Sequence, residues 1–382
     1  MVRTMYLVVW ILLQQSLLFV DSIGINTKVS HPLPNADVFA EHDLALPSSV
    51  YKRGITEVKT RTRNGVCPTS EDIAPCTCSV SEDNAVTMDC SDVTSEDQLR
   101  EIFTSNFPVS QLYMFTTFHS PLIVLESGVF GEVNFNHIKM NYGNLTEVEL
   151  GALDGMYDTL EELRFSDNHI LNFPFETIES FTKLKHLAID NNNEYMTNFP
   201  VIKSDSLIDL RLMNWKFDFV PKDAFKSVPK IEEIILYGNN ISSFELGTFS
   251  NLNHLKSLDL CLNGLTHIPK GLFSLSDGLS NITWIRLSAN QIDTIEPNAF
   301  NVVANVSIEL DDNHLATIDE EVWGPLFDEG FQLHIRNNPL LCGCDIAWLV
   351  RNGDYLSQIH FDATCYDGVF VSNLKPGMFD DC

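Results

Sequence analysis

From Leu255 to Leu265 the chain reads LKSLDLCLNGL, and from Ile282 to Ile292 it reads ITWIRLSANQI. Both place large apolar residues at positions one, four, six and eleven, with asparagine at nine. Working outward, the same spacing returns as Leu160, Leu163, Phe165, Asn168, Ile170 and as Ile231, Ile234, Leu236, Asn239, Ile241. With weaker copies counted, units begin at 112, 135, 160, 184, 207, 231, 255, 282, 305 and 330, at intervals of 23 to 27 residues. The fourth position is apolar in every copy, from Phe115 to Leu333. Asparagine fills the ninth in seven copies, the exceptions being Ser120, Gly143 and Trp215.

A period of about 24 residues built this way is the leucine-rich repeat. Positions three to five of each unit predict a short strand, alternating inward and outward, and stacked strands predict one parallel concave sheet. The asparagine is placed to satisfy backbone groups that an apolar turn would leave unpaired. A single unit buries too few apolar chains to offset the entropy of ordering it, so neighbours supply the core and both open ends need caps. The apolar second halves, such as Phe273 and Phe300, return along the convex side. The expected fold is an α/β repeat solenoid, a leucine-rich repeat horseshoe over residues 112–340, with cysteine-rich caps at 67–111 and 341–382.

Charge and targeting bound the rest. Twenty-four Lys and Arg against 52 Asp and Glu leave a net charge of −28, a surface that repels nucleic acid and anionic membranes. Arg3 precedes an apolar run from Met5 to Val20, and Val20 and Ser22 suit a signal-peptidase site, so residues 1–22 are expected to be a signal peptide. The run is short and followed by Asp21 rather than a basic stop signal, which argues against a membrane anchor. The expected location is extracellular, where disulfides persist. Four cysteines cluster at Cys67, Cys76, Cys78 and Cys90, and four at Cys342, Cys344, Cys365 and Cys382, each cluster holding a Cys-x-Cys pair. Zinc is the competing reading, but its spacings are mostly Cys-x2–4-Cys and the compartment favours disulfides.

The segment from Cys67 to Cys90 resembles the amino-terminal cap of extracellular leucine-rich repeat proteins, and NPLLCGCDIAWL, Asn338 to Leu349, resembles the start of their carboxy-terminal cap. That resemblance implies the pairings Cys67–Cys78, Cys76–Cys90, Cys342–Cys365 and Cys344–Cys382. More narrowly, CPTSEDIAPCTCSV from Cys67 and MDCSDVTSEDQLREIF from Met88 resemble arthropod relatives of the oplophorus-luciferin 2-monooxygenase non-catalytic subunit. Membership there implies a leucine-rich chain that accompanies a small catalytic chain without itself oxidising luciferin.

Residues 23–66 differ from the solenoid. Lys52, Arg53, Lys59, Arg61 and Arg63 gather against Glu57 alone, with no sustained periodicity, so this stretch reads as a disordered basic arm or a removed pro-segment. Four glycosylation sequons stand at Asn144, Asn240, Asn281 and Asn305. Asn305 falls in a first, normally buried position and is expected to be the least used.

Enzymatic signatures are absent: no Gly-x-Ser-x-Gly elbow, zinc helix, phosphate loop or calcium loop occurs. His137 and His186 lie two units apart, on the order of 10 Å, too far to share a metal. The acidic pairs Asp311–Asp312 and Glu320–Glu321 read as solvated charge. The chain is expected to use no cofactor and to bind protein through its concave face. Met213, Tyr237 and Cys261 share the seventh position of successive units, with Ile235, Leu262 and Trp284 beside them. Exposed Tyr, Trp and Met together are anchor chemistry, although Trp215 and longer turns would bury part of the patch. Asp209, Glu232, Glu233 and Asp259 around it predict a basic partner. Cys261, left over from the caps, reads either as an exposed thiol within the interface or as a buried filler. The leading reading is a secreted non-catalytic scaffold, the accessory subunit of a luciferase-like complex. The alternative is an extracellular recognition module of innate immunity or of the cell surface.

Overall fold

The computed structural model describes residues 65–192, 198–274, 282–301 and 305–382. The expected signal peptide, the basic arm up to residue 64 and the sequon at Asn281 lie outside them.

Among the described residues twelve strands form one sheet whose spatial order is the order of the chain. It opens with the antiparallel pair Thr77–Val80 and Val86–Asp89, and every later neighbour is parallel. The fourth positions stand in register across the repeats, Ile138 against Leu163 against Leu187, and later Ile234 against Leu258 against Ile285. That register puts one buried apolar chain behind each strand, and Leu163, Leu187, Leu210 and Ile234 are fully buried. Residues on either side of them face the concave solvent.

The turns out of the sheet share two devices, the second wherever the ninth residue is asparagine. The eighth position adopts a left-handed backbone in all ten units, at His119, Tyr142, Asp167, Asn191, Asn214, Gly238, Leu262, Ala289, Asp312 and Asn337. Its N–H then donates to the seventh-position carbonyl of the next unit, as Asn191 does to Met213, Asn214 to Tyr237, Gly238 to Cys261 and Leu262 to Ser288. The parallel ladder is thereby carried round the bend. Next to it, the ninth-position asparagine turns inward. Asn263 donates from Nδ2 to the carbonyls of Leu236 and Leu260, both at 3.0 Å, while its Oδ1 accepts from Ile241 N–H. Asn290, Asn313 and Asn338 repeat the arrangement, so one buried amide stitches each unit to its predecessor.

Two exceptions to the asparagine have physical reasons. At Gly143 a Cβ would come within 2.8 Å of Asn168 Oδ1, so the missing side chain makes room for the following asparagine. Trp215 is buried and donates its indole N–H to Ile189 O, the carbonyl that an asparagine would have taken.

The convex side carries a file of rings, Phe225, Phe249, Phe273 and Phe300, with neighbouring centroids 5.2–6.0 Å apart. Trp323, Phe327 and Trp348 continue it into the carboxy-terminal cap. The helix Glu320–Asp328 is capped by Asp319, whose Oδ1 accepts from Glu321 N–H, so Glu320 and Glu321 sit in its first turn, where the helix dipole favours them. At the other end the helix Glu96–Phe103 buries Leu99, Ile102 and Phe103, and Phe103 packs on Phe115, Phe130 and Phe135.

Four disulfides staple the ends: Cys67–Cys78 and Cys76–Cys90, then Cys342–Cys365 and Cys344–Cys382. These are the pairings the cap resemblance implies. The buried place expected for Asn305 is not found. Asn305 is exposed, and Val306 takes the buried first position in its place, as Phe331 does one unit later beside Gly330. The apolar anchor has moved one residue along in the last two units, so burial does not set the Asn305 sequon apart.

Candidate partner-binding face

The concave sheet between Asn134 and Arg211 is lined by charge that pairs with itself. Glu162 meets His137 Nδ1 at 3.0 Å and Lys139 Nζ at 2.8 Å. Burial works against its ionisation, yet hydrogen bonds from those two groups hold the carboxyl down at about 2. Arg211 bridges Asp209 and Glu233, each at 3.1 Å, and His186 lies 3.4 Å from Asp209. Lys256 meets Glu232 at 2.6 Å. Asp259 accepts the N–H of Cys261 at 2.9 Å. The four carboxylates expected to steer a basic partner are thus engaged locally. Four carboxylates against Arg211 and Lys256 still leave this patch net negative, as the chain is overall.

Beside these pairs lies a group that sequence reasoning missed. Asp190 is buried, and its Oδ1 accepts a long 3.4 Å bond from Met213 N–H. Burial pushes its carboxyl up to about 7, against the opposing pull of Arg164. Its seventh position carries asparagine, serine or an apolar residue in neighbouring units, so nothing in the pattern marks it.

The six expected anchors divide. Met213, Ile235, Tyr237, Cys261 and Trp284 are partly buried, while Leu262 is 47% exposed. Met213, Tyr237 and Cys261 do share one column across adjacent strands, joined through the turn bonds described above. Trp215, however, is wholly buried and contributes no surface. Burial first, then the charge of Asp259 and a thiol–carboxylate hydrogen bond, raise the Cys261 thiol far above the ordinary range. It is free and protonated, closer to the filler than to a reactive group. Trp284 lies under the Arg286 guanidinium, 5.1 Å from ring centroid to Cζ. Two sequons, at Asn144 and Asn240, are exposed on the turns that leave the sheet.

Among the described residues no group of three or more His, Cys, Asp or Glu is arranged to hold a metal, and no helix is long and apolar enough to cross a membrane. The face presents paired charges, an asparagine-braced floor and a few half-buried rings.

These features define a solenoid of stacked leucine-rich units. Family models described as "Leucine rich repeat" match residues 205–260 and 253–315, and one described as "BspA type Leucine rich repeat region" matches residues 100–227. The chain belongs to the leucine-rich repeat family. It is 34% identical over 315 residues to the Oplophorus-luciferin 2-monooxygenase non-catalytic subunit of Oplophorus gracilirostris, covering 82% of this chain and 87% of that one. It is 28% identical over 196 residues to the leucine-rich repeat transmembrane protein FLRT2 of Rattus norvegicus, half of this chain and 29% of that protein. The repeat domain of FLRT2, solved in an octameric complex with Latrophilin 3 and Unc5D, superposes with a TM-score of 0.60 at 20% identity, over 82% of this chain and 99% of that one. That likeness is one of fold.

Proposed function

We propose that the chain is a secreted, non-catalytic protein-binding scaffold, the leucine-rich accessory subunit of a complex whose chemistry is performed by a separate small chain. The observation that carries this reading is its 34% identity, across 82% of its length, to a subunit named as non-catalytic. The self-paired charge of the concave face supports it: Glu162, Asp209 and Glu233 are each held by a neighbouring cation. In this reading residues 1–22 direct secretion and residues 23–66 form an arm or pro-segment. Caps at 67–111 and 341–382 close the repeats of 112–340, and the sequons at Asn144, Asn240, Asn281 and Asn305 are the glycan sites. Met213, Ile235, Tyr237, Leu262 and Trp284 contribute to the interface.

The recombinant chain, supplied alone with oplophorus luciferin and oxygen, is expected to give no turnover above buffer. Sustained luciferin oxidation by the purified chain overturns the non-catalytic reading. The likeness to FLRT2 favours a second reading, an extracellular recognition module. Recovery of the native chain with several cell-surface receptors, and with no small chain, would select it.

A further inference from the structure

A line of rings runs from the concave sheet onto the carboxy-terminal cap. Trp284 and His334 lie with centroids 6.1 Å apart, His334 stacks on His360 at 4.5 Å, and His360 meets Phe361 at 4.4 Å. Its backbone logic is plain. Ser307, the register partner between Trp284 and the last strand, is small and leaves the indole room to reach across. The bridge between Leu333 and Ile359 then adds one further rung to the sheet, and His360 N–H donates to Leu333 O at 2.9 Å. That rung sets His360 beside His334. Beyond it Phe361 is 71% exposed, an expensive position for a phenylalanine in a chain with so complete a core.

We propose that the Trp284–His334–His360–Phe361 stripe is a docking surface for an apolar protein segment flanked by lysine or arginine side chains. It rests on the scaffold reading and gives that scaffold a particular contact. The charges around the stripe select the occupant. Glu309, Asp311, Asp312 and Asp362 border it, against two guanidinium groups, Arg286 and Arg336. Asp362 holds His360 Nδ1 at 2.6 Å, and burial together with His360 keeps the His334 pKa below the ordinary imidazole value. With the His334 pKa lowered, the stripe presents rings inside a rim of four carboxylates against two guanidinium groups. A second copy of the chain brings the same net charge of −28 and is a poor occupant. A basic-flanked apolar segment satisfies both the rings and the rim.

The probe is a synthetic peptide with an oligoleucine centre and lysines on both flanks, titrated calorimetrically into the full chain. Two controls are an oligolysine of equal charge and the same leucine centre flanked by glutamate. The account predicts binding of the first peptide only. Phe361→Asp or Trp284→Ala should weaken it by about tenfold or more, the effect of losing one aromatic anchor. Tyr142→Asp, at the opposite end of the sheet, should leave it unchanged. Phe361 is exposed, so its replacement is expected to keep the melting temperature, which separates lost contact from lost fold. Equal binding of oligolysine, equal binding to the Phe361→Asp and Trp284→Ala variants, or self-association that Phe361→Asp abolishes would each overturn the proposal. Those results concern this surface alone. The scaffold reading fails separately, if the native chain has no protein partner.

Discussion

The indole N–H of Trp215 donates to the backbone carbonyl of Ile189, where the neighbouring repeats use a ninth-position asparagine amide. Asn239 then accepts from Trp215 N–H at 2.9 Å, so the buried polar ladder crosses the irregular unit without a break. Trp215→Phe keeps the packing against Phe175 and Phe217 but leaves Ile189 O unpaired. It should cost about 1–3 kcal/mol. Trp215→Ala adds a cavity and should cost about 3–5 kcal/mol. Denaturant melts of the two variants check this, and a Phe variant as stable as the parent would assign Trp215 to packing alone.

Asp190 makes stability depend on pH in an unusual direction. Its folded pKa of about 7 lies above the ordinary aspartate value of 3.8. The native state therefore keeps a proton that the unfolded chain has released. Stability falls as pH rises from about 4 through 7, at up to roughly 1.4 kcal/mol per unit from this group. Asp190→Asn removes the titration. It should melt higher than the parent at pH 8, with the difference shrinking towards pH 5. Parallel melting curves across that range would contradict the assignment.

Leu262 pairs a left-handed backbone, φ 56°, with a side chain 47% exposed. A branched residue there is strained by about 1–2 kcal/mol relative to glycine. Leu262→Gly should raise stability by about 1 kcal/mol, and it should weaken partner binding if the leucine is kept as a contact. Thermal melting and binding read the two effects separately. A stability loss would mean that the leucine packs more than its exposure indicates.

Much of this was legible in the sequence, and the reason is periodicity. A residue type recurring at a fixed place, such as Leu258 or Asn263, reports one environment many times over. The left-handed eighth position escaped notice because His119, Tyr142, Leu262 and Ala289 share no chemistry with Asn191 or Gly238. There the next unit's carbonyl sets the conformation, and local propensity does not. Asp190 and the Arg211 pairs depend on what stands one strand away. The Trp284–Phe361 stripe joins residues 77 apart in sequence, through a rung that lies outside the repeat pattern. Asn305 differs for the opposite reason: the period assigns it a buried column, and the apolar anchor there has slipped to Val306.

The carboxy-terminal staple should be essential. Cys344–Cys382 spans 38 residues and Cys342–Cys365 spans 23. A closed loop of such length contributes about 3–4 kcal/mol in the chain-entropy model. Cys344→Ser frees Cys382 and loosens the cap that covers Leu340 and the Trp348 ring. Secreted yield should fall sharply and the melting temperature with it. Unchanged yield and melting would show that the ring file closes the solenoid without the bridge.

The central claim, that this chain holds a partner and leaves the chemistry to it, is most directly tested by purifying the native protein from its source without denaturant and weighing the complex. The account predicts a fixed-stoichiometry assembly containing a second, smaller protein, which separates at high salt as a contact with an acidic solenoid should. A native chain that elutes alone, at the mass of one glycosylated polypeptide and with no second protein at any ionic strength, would contradict it.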